Sequence, residues 1–166
     1  MKSVEFSLKG DIAYINSSSQ TTMKLWISTS PFLKVEWSKL SVQEKFDTLQ
    51  LAFEGSKRDL PMPADPDKFS KSILAAFDLK NWNMLYKDGK HCSVDLDTEK
   101  ALYCFTPMIY LPQNKSLYGI PNGIERIPVS SGPDKVVSVL EEILENFQRL
   151  EEEYYEKKGE NENPDT

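Results

Sequence analysis

The apolar residues Val136, Leu140, Ile143, Phe147, Leu150 and Tyr154 fall at alternating steps of four and three, the spacing that lines one face of an α-helix. This unbroken period predicts a single long helix over residues 131–158 near the C-terminus. Ser131 or Gly132 can serve as its N-cap, and Pro133 suits a first turn whose N–H groups are unpaired anyway. Asp134 complements the positive end of the helix dipole, and Gly159 is expected to end the helix. At about 100° per residue, Glu141, Glu145, Glu152 and Glu156 point within about 40° of directly away from the stripe, so the outer face is acidic.

Earlier in the chain the period changes. Val4, Phe6 and Leu8 alternate with polar neighbours, Lys9-Gly10-Asp11 offers a turn, and Ile12 and Tyr14 resume the alternation, so residues 3–16 read as a hairpin. Residues 17–20 read as a polar loop. Met23, Leu25 and Ile27 share one face of a second extended piece that Pro31 should stop. Ser41-Val42-Gln43-Glu44 is a capping-box pattern, and it opens a helix carrying Val42, Phe46, Leu49 and Phe53 on one face up to Gly55. Asp65 followed by Pro66 opens another, with Phe69, Ile73, Ala76, Phe77 and Lys80 on or beside its inner face and an end expected around Leu79 to Asn81.

From Trp82 to Val129 the period is two. Trp82–Lys87 and Lys90–Leu96 flank Asp88-Gly89, and Ser116–Ile120 and Ile124–Val129 flank Asn122-Gly123, so both pairs read as hairpins. Ala101–Phe105 and Met108–Leu111 read as strand broken by Pro107, with Leu102 and Cys104 facing one way and Tyr103 and Phe105 the other. Pro121 and Pro128 place the last strands at an edge. Strands and three amphipathic helices without regular βαβ alternation give an α+β fold: an antiparallel sheet of hairpins with the helices packed on it. The expected organisation is one domain over residues 1–158 and a disordered polar tail over 159–166.

A chain of 166 residues can bury roughly 70% of the surface its unfolded form exposes, and three Trp, eight Phe and seven Tyr supply large anchors. Of the net charge of −6, the part from Asp134 onward holds eleven acidic and four basic residues, a charge of −7, which leaves +1 for the rest. Direct nucleic-acid binding and attachment to anionic membranes are disfavoured, because neither a basic cluster nor a stripe is present. The start lacks a secretory apolar run, no window approaches the roughly 18 apolar residues of a membrane span, and the expected compartment is the cytosol. Cys92 and Cys104 are then expected as free thiols, although both lie in strands that could be neighbours.

The sequence holds no recognisable catalytic set. His91 is its single histidine, read as a partly exposed strand residue; Cys92 beside it points to the opposite face and cannot easily share a site. One His and two separated Cys do not make a zinc pattern, Asp95/Asp97 and Glu141/Glu145 lack a calcium-loop context, and seven scattered glycines form no phosphate loop. No metal or cofactor is expected. A basic protein partner would instead meet acidic and aromatic side chains at the tip formed by Asp95, Asp97 and Glu99, and along the outer helix at Glu141, Glu145, Glu152 and Tyr155.

Three stretches carry a family likeness: residues 23–32 (MKLWISTSPF), 81–90 (NWNMLYKDGK) and 120–128 (IPNGIERIP). With them the chain resembles bacterial contact-dependent growth inhibition immunity proteins over most of residues 1–158. The resemblance implies a small non-catalytic cytosolic protein that binds and neutralises the C-terminal toxin domain, often a nuclease, of a cognate surface-delivered protein. It transfers no contact residues. The alternative from another class is a small non-catalytic adaptor that homo-oligomerises through the long C-terminal helix; whether the chain is a monomer or a dimer stays open at this point.

Overall fold

The computed structural model describes residues 1–113 and 116–162, with side-chain packing through Lys158. Within them, β1 (Lys2–Lys9), β2 (Ile12–Gln20), β3 (Trp26–Glu36), β4 (Lys90–Asp97), β5 (Leu102–Leu111), β6 (Ser116–Gly119) and β7 (Glu125–Pro128) form one antiparallel sheet. The order is β3-β2-β1-β4-β5-β6, with β7 also on β5. The helices are α1 (Val42–Gly55), α2 (Pro66–Ala76), α3 (Asn83–Tyr86), α4 (Gly132–Glu145) and α5 (Phe147–Glu162). The expected α+β class is the observed one.

The first hairpin closes through Gly10, whose φ of +58° only glycine adopts without steric cost. Alternation then sorts the strands into two faces. On one, Phe6 lies opposite Ile15 and Cys92, and Val94 opposite Val4 and Phe105, all fully or almost fully buried. Leu49, Ala52 and Phe53 of α1 and Val136, Leu140 and Ile143 of α4 close over this row and form the main core with it. Ser41 caps α1 with the reciprocal Glu44 contacts its pattern predicts, and Asp65 caps α2 by accepting from the Lys68 N–H.

The long stripe is real, but its helix is not continuous. At Asn146 the side-chain amide donates to the Glu142 carbonyl at 2.8 Å, and the chain bends from α4 into α5. The stripe thereby splits: Val136, Leu140 and Ile143 join the main core, while Phe147, Leu150 and Tyr154 pack with Ile109, Leu111 and Ile120 in a second cluster. The helix runs through Gly159 to Glu162, and residues 163–166 of the expected tail lie outside the described residues.

Other expectations at proline and glycine need correction. Residues 17–20 belong to β2, and β3 passes through Pro31, because the register shift beside Asn16 and Ser17 leaves Ser30 and Pro31 bulged on an edge strand. Met23 and Leu25 precede that strand and are exposed. Likewise β5 is unbroken at Pro107, whose carbonyl accepts the Ile120 N–H at 2.8 Å. A residue's N–H and C=O share a side in an antiparallel strand, so the missing donor faces the seam between β7 and β6. Those two strands pair with β5 and not with each other. Gly123 is required by space rather than by a hairpin turn, since a Cβ there would meet Pro107 Cγ at 2.6 Å. Residues 83–86 are helical, not strand: Asn81 accepts the Met84 N–H through its side chain and starts a turn there.

Candidate functional site

The second face of the sheet is polar. Ser3, Glu5 and Ser7 of β1, Tyr14, Asn16 and Ser18 of β2, and His91, Ser93 and Asp95 of β4 are its registered residues. Part of this face is covered by the segment from α2 to α3. Phe77 meets Tyr14 and Phe32 edge-on with ring centroids 5.5 and 5.3 Å apart, and Tyr86 of α3 sits edge-on to His91 at 5.5 Å. The remainder is an open groove of about 370 Å³, floored by Ser3, Glu5, Ser18, Ser93 and Asp95 and walled by Trp26, Tyr86, Met108 and Leu117. That size falls within the range of small-molecule and side-chain pockets.

The groove is built around two carboxylates. Glu5 Oε2 accepts from Asn16 Nδ2 at 3.2 Å and from Ser28 Oγ at 2.8 Å, which fixes the side chain between β2 and β3. Asp95 accepts from Ser93 Oγ at 3.4 Å. Burial holds the Asp95 carboxyl above its ordinary pKa, against the lowering effect of the Ser3 and Ser93 hydroxyls and of the Met1 α-amino group. Neither Glu5 nor Asp95 forms an ion pair within the described residues, and the groove lining contains no Lys or Arg side chain.

His91 is buried, not partly exposed. Its Nδ1 bonds the Ser7 hydroxyl at 2.9 Å and its Nε2 the Tyr86 carbonyl at 3.1 Å, and burial pushes its pKa down to about 4. Both ring nitrogens are engaged in packing α3 against β1 and β4, so the ring is neutral at neutral pH. Cys92 points into the apolar core, and burial raises its thiol pKa, which makes it a poor nucleophile. Both cysteines are free: Cys92 pairs with Pro107 on the apolar face and Cys104 with Asp95 on the polar one. No group of three His, Cys, Asp or Glu able to hold a metal occurs among the described residues.

The residues singled out in the sequence are spread over four places. Asp95 floors the groove. Asp97 accepts from the Glu99 and Lys100 N–H groups at 3.1 Å each and so shapes the β4–β5 turn, with its pKa lowered by those bonds; Glu99 is exposed on the same turn. Glu141 does not point straight outward. It accepts from Trp37 Nε1 at 3.2 Å and Lys45 Nζ at 2.6 Å, tying α4 to α1 beside a hollow that Glu145 also lines. Glu152 accepts from Gln148 and Tyr155 is exposed, both on α5. Glu5, Ser18 and Ser28 were missed. The alternation of Ser3, Glu5 and Ser7 with Val4, Phe6 and Leu8 carried the signal, because it places a polar row directly behind an apolar one.

No protein-family model and no curated protein sequence matches the chain. Solved structures do. A protein of unknown function, NMB0488, from Neisseria meningitidis superposes with a TM-score of 0.66 at 10% identity, covering 84% of this chain and 91% of that one. A chain of the CdiA-CT/CdiI toxin and immunity complex from Yersinia pseudotuberculosis superposes at 0.54 with 14% identity, covering 84% and 93%. The fold is shared with both. Among the described residues no helix is long and apolar enough to cross a membrane.

Proposed function

We propose that this chain is an immunity protein of contact-dependent growth inhibition, a non-catalytic cytosolic binder that neutralises the toxin domain of a cognate protein. The observation that carries the reading is the fold it shares with a chain of a toxin and immunity complex over 84% of its length. The polar face supports it chemically, since two carboxylates without a neighbouring Lys or Arg lie in an open groove and suit a basic partner. The toxin is read as a nuclease, because nucleases gather positive charge at the substrate groove and an acidic inhibitor complements it.

In this reading the two acidic regions have different tasks. Asp95 and the groove form the docking surface, while Glu145, Glu152, Asp97, Glu99 and the flanking Tyr155 form an outer field that speeds encounter. Oligomerisation through the long helix has no support, because Val136, Leu140, Ile143, Phe147 and Leu150 are all buried within the chain itself. The test is co-purification with the C-terminal domain encoded next to this protein, followed by titration and an assay of that domain's toxicity. One-to-one binding that abolishes toxicity is expected; a domain that stays free and active would overturn the reading.

A further inference from the structure

Four large apolar side chains stand exposed at one end of the sheet. Met23 is 67% exposed, Leu25 51%, Trp26 38% and Met62 37%. The backbone brings their segments together: Thr21 and Leu60 form a parallel bridge, the Thr22 N–H donates to the Leu60 carbonyl at 2.9 Å, and Met23 and Met62 each lie two residues beyond the bridged pair. Trp26 opens β3 and also walls the groove, so this apolar end continues into the polar face.

The exposure does not come from a loose loop. Thr21 closes the turn three times over: its N–H donates to the Leu25 carbonyl at 2.8 Å, its carbonyl accepts the Lys24 N–H at 2.9 Å, and its hydroxyl accepts the Leu25 N–H at 3.1 Å. Lys24 and Asp59 both hold left-handed backbone, with φ of +63° and +55°, and their side chains pair at 3.1 Å. Such backbone is costly away from glycine, and a turn kept in it has a fixed shape that loses little freedom on binding. Beside it, Lys57 and Arg58 are exposed and make no ion pair among the described residues. Solvated cations alone identify nothing, but Trp, Met and Arg together are the residues enriched at interface centres.

We propose that this end of the sheet is the apolar anchor of the partner interface, seating Met23 and Leu25 in an apolar depression of the toxin domain whose rim carries a carboxylate for Arg58. The identity of the partner rests on the immunity reading. Area argues against a second copy of the chain, because a stable dimer buries about 800 Å² on each partner, more than four partly covered side chains supply. The occupant is a surface that spans the groove as well, which the shared Trp26 allows. The charge it must present changes sign along its length: basic over Glu5 and Asp95, acidic opposite Lys57 and Arg58. That alternation fixes the orientation of the partner, since a reversed approach sets like charges together.

The test titrates the toxin domain encoded next to this protein against the unaltered chain, Met23→Ser/Leu25→Ser and Arg58→Glu, with unfolding midpoints measured alongside. All three positions are exposed, so the variants should fold normally; if the double variant melts, Met23→Ser alone is measured. Each variant is expected to lose about tenfold in affinity, chiefly through faster dissociation. Unchanged affinity in the apolar variant would overturn the anchor, and so would unchanged or tighter binding by Arg58→Glu, which places a basic rather than an acidic surface opposite it. An isolated chain that is dimeric by light scattering and becomes monomeric in Met23→Ser/Leu25→Ser would give this end to a second copy and overturn the assignment. An unaltered chain that leaves the domain free and active refutes the immunity reading and the anchor together, whereas full affinity in the variants refutes the anchor alone.

Discussion

Ser17 and Ser18 are neighbours on β2, both buried, and stand on opposite faces of the sheet. The Ser17 hydroxyl donates to the Ala52 carbonyl of α1 and is absorbed into the packing of helix on sheet. Ser18 instead lines the groove on the polar face. The same contrast runs across the whole sheet. On the α1/α4 side the central registered positions are filled by apolar residues that pack under the helices; on the other side, carboxylates and hydroxyls stand in register under partial cover. One face holds the fold together, which leaves the other free to present polar groups in an open groove.

Substitutions should separate the faces by magnitude. Phe105 is fully buried opposite Val94, and Phe105→Ala should cost about 3 to 5 kcal/mol in urea unfolding, a large part of a small domain's stability. A loss below about 1 kcal/mol would mean that the apolar face is not the stabilising one.

The polar face is where pH enters. Folded His91 has a pKa of about 4, against 6.5 when unfolded, so between those values the unfolded chain binds a proton that the folded chain refuses. Its effect is absent above pH 6.5 and removes about 3 kcal/mol as pH falls to 4. The urea midpoint should decline over this window, and His91→Gln, lower in stability overall, should flatten the decline; an equally steep profile in the variant would assign the acid sensitivity to other groups.

The serine pair gives a finer comparison. Ser17→Ala should cost about 1 to 3 kcal/mol because it strands the Ala52 carbonyl under α1, whereas Ser18→Ala should change stability by less than about 0.5 kcal/mol. Equal costs would erase the distinction between the faces. The smallest stability effect is expected at the outer field: Glu145→Lys/Glu152→Lys should leave the unfolding midpoint within about 0.5 kcal/mol and lower only the association rate with a basic partner, an effect that shrinks at high salt. A rate insensitive to both the substitutions and the salt would remove steering from the mechanism.

Much of this architecture was legible in residue patterns. The capping residues Ser41 and Asp65, the first hairpin and the inward rows of β5 followed from local rules that tertiary contacts did not override. The readings that failed sit where a long-range contact decides: Pro107 at a seam between two strands, Gly123 against Pro107 and Leu150, Asn146 turning back on Glu142. Of the candidate site, Asp95 was visible as one acidic residue among several, but Glu5 and Ser18 meet it only through the β1–β4 and β1–β2 registers, which no local spacing encodes. Glu141 looked outward on a helical projection because the projection does not contain Lys45 and Trp37.

The division between the faces is tested most directly by titrating the cognate toxin domain against three forms of the chain at one ionic strength: unaltered, Glu5→Gln/Asp95→Asn, and Glu145→Lys/Glu152→Lys. The groove variant is expected to lose at least about tenfold in affinity through faster dissociation, with its unfolding midpoint unmoved, and the helix variant to lose mainly in association rate. A groove variant that binds as tightly as the unaltered chain, while the helix variant dissociates, would contradict it.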